Sequence, residues 1–320
     1  MQIEHPHGSI GESCPGSPRG ALPMATTPDL TWIQPPSTGL SSVLRRVSRA
    51  PSRIWHARDL LFTGLARDLR GRVAGTVLGP LWPFAQPAML LVVYGFLFTT
   101  LLSMKLPGAS DGAGWSAYLL VGTLAWSSLA ECATRGASSL LEGRELVRKL
   151  AYPIELLPLV PSLSSTLLLG SGAVVVIVLG GVSGYLPWNL AALALPVVML
   201  LHLGLALGLA WSLAGLNAGL RDVGQILPLL LTALMLATPV FWVASPEVIP
   251  GIEPWLPYVE ASPFTHLLNA WRSVLCAGRP EVPCPPLGEA LASLVPYSLG
   301  ALVLGRIVLA RLEPLILDEI

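Results

Sequence analysis

From Leu156 to Leu220 the chain runs for 65 residues without one Asp, Glu, Lys or Arg. Such a stretch is at home in lipid. A helix crosses the hydrocarbon in about 20 residues, so the run fits two spans joined by a hairpin, with Gly181-Val182-Ser183-Gly184 as its bend. The rest of the chain agrees. Hydrophobic residues make up 53% of it and charged residues 12%, against about 25% charged in a soluble domain. Backbone in lipid must satisfy its own hydrogen bonds. The chain is therefore read as an all-α, multi-pass membrane protein.

Six transmembrane helices can be drawn: 83–102, 115–133, 156–179, 190–213, 226–244 and 290–309. Residues 1–45 form a Pro/Gly/Ser-rich head read as a disordered tail, and no apolar signal-peptide core is visible in it. Met24 offers a second start. Residues 46–76 are expected to form a cytoplasmic amphipathic interface helix, 77–312 the six-span domain and 313–320 a short cytoplasmic tail. With the N-terminus inside, 15 Lys and Arg fall on the inner side and 3 (Lys105, Arg272 and Arg279) on the outer side. The positive-inside rule then places both termini in the cytoplasm and the chain in the inner membrane. The long outer loop contains an expected re-entrant or interfacial helix before the last span. Ser262 is its N-cap, Pro263 its first turn and Gly278 its end, with Phe264, Leu267, Leu268, Trp271, Val274 and Leu275 on one face.

Net charge is zero, so no global field points to nucleic acid. No Walker-type G-x-x-x-x-G-K-[ST] is present, so ATP-driven work would need a separate subunit. Two stretches offer docking surfaces. Taken as a helix, Arg58 to Val73 gathers Leu61, Phe62, Leu65, Leu69 and Val73 on one side and Asp59, Arg67 and Arg70 on the other. It reads equally as a membrane anchor with snorkelling arginines. The loop EGRELVRKLAYPIELLP places Glu145 and Lys149 for an i,i+4 pair, and Tyr152-Pro153 ends its helix. A solvated charged loop is its plain alternative. Trp82, Tyr94, Phe98, Trp126, Trp211, Phe241 and Trp242 lie in or near spans; they could stack on sugar rings along a substrate path, or form the usual interfacial belt. Cys276 and Cys284 share the outer loop, where a disulfide could form. The G-x-S-G bend and His202 resemble intramembrane-protease elements, but a Gly/Ser turn explains them better. No His/Cys cluster has metal spacing.

Four blocks resemble one family. RDLRGRVAGTVLGPLWPFAQP, from Arg67 to Pro87, resembles the entry to the first span of ABC-2 type permeases that export polysaccharides, with Val73 where an aromatic residue is usual. LVRKLAYPIELLP, from Leu146 to Pro158, is similar to that family's cytoplasmic helix between spans two and three. Asn217 with Arg221-Asp222 resembles its turn between spans four and five. SPFTHLLNAWRSVLCAG resembles the segment before its last span, with Ser262 replacing the usual Asn. The resemblance implies the membrane subunit of an exporter for a lipid-linked polysaccharide such as O-antigen. A smaller drug or lipid is the alternative cargo, and a polytopic membrane enzyme the alternative class. It also implies a homodimer with a conduit on its axis, contact with membrane lipids, and no cofactor or enzyme activity in this chain. ATP and Mg would sit on a partner ABC ATPase, reached through Arg67, Asp68, Arg70, Glu145, Arg148, Lys149, Arg221 and Asp222.

Overall fold

The structure is a computed structural model that describes residues 40–75, 77–102, 106, 112–150, 152–220 and 222–319. What the sequence leads one to expect of residues 1–39, Lys105 and Arg221 lies outside these. Among the described residues every regular element is helical. The two amino-terminal helices are α1, Leu40–His56, and α2, Arg58–Val73. A single 3-10 turn, Gly79–Leu81, leads into α3, Trp82–Gly95, which continues as a π-helical segment, Phe96–Leu101. Next come α4, Ala113–Glu142, the short α5, Arg144–Leu150, and α6, Leu156–Val182. A second 3-10 turn, Leu190–Ala194, opens α7, Leu195–Gly219, followed by α8, Asp222–Ala237. The chain closes with α9, Leu256–Glu260, α10, Pro263–Leu275, and α11, Leu287–Glu319.

Helices occupy each of the six expected positions, and among the described residues three are long and apolar enough to cross a membrane: Leu156–Val182, Leu190–Gly219 and Leu287–Pro314. Several boundaries differ from the sequence reading. The amino-terminal helix starts at Leu40, inside the expected tail, and α1 and α2 are separate helices parted at Ala57. Leu40, Val43, Leu44 and Val47 recur at helical spacing, but the Ser and Arg residues between them hide the pattern. The fifth expected span ends at Ala237 instead of 244. Pro239 disfavours helical backbone at Thr238. The expected C-terminal tail is a continuation of α11, which passes through Pro296 and Pro314 to Glu319.

Two apolar clusters hold the helices together. The larger gathers Trp115, Tyr118, Leu120 and Leu129 of α4 with Leu267, Trp271 and Val274 of α10 and with side chains of α6, α7 and α11. The smaller joins Leu140, Ile154, Leu156, Leu159, Trp211 and Leu309, with Ile54 and Leu61 of α1 and α2 against it. Close approach of α7 and α11 depends on small residues. A Cβ on Gly208 would collide with the Ala301 backbone, and one on Gly305 with the Gly208 carbonyl. Gly204 faces Ser298 and Leu302 of the same helix. The Gly204-xxx-Gly208 motif therefore packs helices within this chain.

Candidate functional site

On one side of α2, Asp68 is the centre of a charge cluster. Its Oδ2 accepts from Arg72 Nε at 3.1 Å and from Arg135 Nη1 of α4 at 3.2 Å, and its Oδ1 makes a second, closer contact to Arg135 Nη2. Arg72 pairs in turn with Glu131, one turn before Arg135 on α4, and donates to Ser165 Oγ of α6 at 2.8 Å. Partial burial works to raise the Asp68 carboxyl, but hydrogen bonds from Arg135, Ser164 and Arg72 outweigh it and hold the group below the usual range. The arrangement locks α2 onto α4 and α6 by charge, beside the apolar contact that Leu61 makes with the smaller cluster. Phe62, expected on the same apolar face, is instead exposed. A cavity of 680 Å³ opens beside the cluster, lined by Arg67, Asp68, Glu131, Arg135 and Glu142 and also by Leu146 of α5 and Tyr152.

The expected docking residues fall into three groups. Arg67 and Asp68 line the cavity. Arg70, Glu145 and Arg148 are exposed, on α2 and on α5 beyond the Gly143 turn. Asp222, also exposed, opens α8, and the side chain of Lys149 lies outside the described set. Asn217 explains the turn before Asp222. Its amide donates to the Ala137 carbonyl at 2.9 Å and its Oδ1 accepts from the Gly224 N–H at 2.8 Å, satisfying one of the open donors at the start of α8. The family resemblance points to the turn, but the sequence reading does not show this cap. It missed Arg72, Glu131 and Arg135 altogether, although Asp68/Arg72 and Glu131/Arg135 are both i,i+4 pairs.

The aromatic set divides. Trp82 and Phe241 are exposed, Tyr94 and Trp242 half-buried, and the side chain of Phe98 lies outside the described set. Trp126 and Trp211 are 4% and 6% exposed. Trp126 meets Phe264 edge-on, with ring centroids 5.6 Å apart, and Trp211 Nε1 donates to the Glu155 carbonyl at 3.1 Å. Their burial inside one chain takes them out of any surface that could face a polymer.

At the other end of the spans, α10 is buried on nearly every side, Arg272 included. The guanidinium of Arg272 lies 3.4 Å from the Tyr118 ring centroid and donates to the carbonyls of Pro239 and Val240, just past the C-terminal end of α8. A cation there is favoured by the helix dipole, and a desolvated cation–π contact adds about 2 kcal/mol. Ser262 holds the N-cap position without a side-chain cap bond, and Pro263 begins the helix. Cys276 and Cys284 are free thiols, so the expected disulfide is absent. Burial, helped by the neighbouring Cys284, pushes the Cys276 thiol up to about 12, and disulfide chemistry needs the thiolate. The protease-like pair is not assembled. Ser183 bonds the Gly180 carbonyl, and His202 uses both ring nitrogens on Trp271 and Ser128. Among the described residues no group of His, Cys, Asp and Glu is arranged to hold a metal.

The family described as ABC-2 type transporter matches residues 59–276, from α2 through the end of α10. The chain is 30% identical over 195 residues to the O-antigen export system permease protein RfbA of Myxococcus xanthus, covering 61% of this chain and 72% of that protein. It is 22% identical over 220 residues to the RfbA permease of Klebsiella pneumoniae, covering 69% of this chain and 81% of that one. The match takes in α2 with its charge cluster, α5, the Asn217 turn and α10 together, and on that evidence the chain belongs to the ABC-2 type transporter family.

Proposed function

We propose that this chain is the membrane permease of an ATP-driven exporter that carries a lipid-linked polysaccharide of the O-antigen class across the inner membrane. The observation that carries the reading is the likeness to two O-antigen export permeases over most of their length. The chain contributes the path; a separate ABC ATPase supplies ATP hydrolysis with its own Mg. Two copies pair, each with one ATPase, and both termini face the cytoplasm. Six helices per chain cross the membrane, α10 enters and leaves on the outer side, and α2 rests on the inner surface.

Supporting this reading, α2 and α5, whose Arg67 and Leu146 line one cavity together with residues of α4 and α6, also carry the exposed Arg70, Glu145 and Arg148. ATP-driven movement of a partner seated there would act on those two helices first. Exposed Trp82 and Phe241 offer flat faces to passing sugar rings without binding them tightly.

Purification of the tagged chain in mild detergent, with ATPase activity assayed on the eluate, tests the reading. A stoichiometric partner with Walker motifs is expected. A folded chain that is recovered alone and without ATPase activity would overturn it.

A further inference from the structure

Glu155 stands just ahead of α6, five positions after the last residue of α5, and its side chain is 0% exposed. One carboxylate oxygen, Oε1, accepts from Arg53 Nη1 of α1 at 3.0 Å and from Arg306 Nη2 of α11 at 2.8 Å. The other oxygen, Oε2, is equally buried and has no hydrogen-bond partner. The backbone carbonyl of Glu155 accepts from Trp211 of α7. Arg53 also lies 3.7 Å from Glu313 Oε1 of α11. One residue thus holds α1, α7 and α11 at the root of α6.

A joint that had only to be stable would not need these charges. Replacing a buried ion pair by well-packed apolar groups is often neutral or stabilising, while removing one partner alone is costly. The geometry also leaves room for a second setting. An unpartnered oxygen on Glu155 and a guanidinium shared with Glu313 allow Arg53 to pass to Glu313 while Glu155 turns more fully to Arg306. Coupling between sites requires an element with two such discrete arrangements.

We infer that Glu155 is a positioning residue for export. It moves with α5 and carries that movement into α11 through Arg306, while Arg53 is handed between Glu155 and Glu313. It touches neither polymer nor nucleotide. The inference rests on the exporter reading given above.

The test uses the full chain with its ATPase, reconstituted in vesicles, and reads polymer exported per ATP hydrolysed beside the yield of assembled complex. Glu155→Gln keeps the shape and removes the charge; it is expected to lower that ratio by about tenfold while the complex still assembles. Glu155→Asp is expected to recover part of the loss. Arg53→Gln and Glu313→Gln probe the exchange without emptying the buried site, and each is expected to lower the ratio by about threefold. An unchanged ratio in all of these variants overturns the inference. So does a loss of export that merely follows a loss of assembled complex. If the wild-type complex hydrolyses ATP but moves no polymer, the exporter reading itself fails, and the inference with it.

Discussion

At Asp68 two effects oppose one another: burial disfavours the charged carboxylate, and the Arg135, Ser164 and Arg72 hydrogen bonds favour it more. A folded value below the ordinary 3.8 means that this attachment is at full strength above that pH and is lost as pH falls through the lower folded value. Hydrogen exchange should therefore find α2 as protected at about pH 5 as at neutrality, with release only in stronger acid. Asp68→Asn should loosen α2 at neutral pH and down to about pH 5, at a cost of about 1.5–3 kcal/mol for the charged hydrogen bonds removed. Equal α2 protection in variant and wild type would contradict this. Sequence made Asp68 visible through its motif, yet not its partners. Arg135 lies 67 positions away, and a pairing across helices leaves no trace in local spacing. Glu155 is the same case, since its two arginines come from opposite ends of the chain.

Elements were easier to read than their ends. A charge-free run signals a lipid-compatible helix whatever packs on it, so α6 and α7 stand where the 65-residue gap put them. Ends depend on partners that arrive later in the chain. Arg272 donates to the carbonyls beyond α8, and Arg53 holds α1 against Glu155. The all-round burial of α10 was also hidden, because a half-apolar pattern reads as a surface helix until α4 and α11 enclose it. For α7 and α11, spacing alone could not say whether Gly204 and Gly208 pair within one chain or between two. With Gly208 against the Ala301 backbone, Gly208→Leu has no flexible neighbour to displace. Overpacking of this kind costs about 1–3 kcal/mol. The variant should lower the melting temperature of the purified monomer unit, with no specific effect on copy number. A change in oligomeric state at unaltered melting temperature would return the motif to an interface between copies.

For the molecule as a whole, the chemistry of export is divided between chains, so its decisive substitutions are those that break communication. Glu145→Lys or Arg148→Glu, both exposed on α5, should uncouple export while leaving membrane insertion intact. Polymer appearing on the outer surface at wild-type rate from inserted variants would refute this. The Trp271–His202–Ser128 contacts bear on the whole bundle too. The indole can only donate, to His202 Nδ1 at 3.2 Å, so the imidazole proton sits on Nε2 facing Ser128, whose hydroxyl donates to the Ser165 carbonyl. The chain of bonds has one sense and passes through α10, α7, α4 and α6 in turn. Interrupting it anywhere leaves a buried group unanswered further along. The energies of its members are therefore not separable: Trp271→Phe combined with His202→Leu should cost markedly less than the sum of the two single changes. Four helices contributed by distant parts of the sequence are thereby joined into one cooperative unit, which loosens together or not at all.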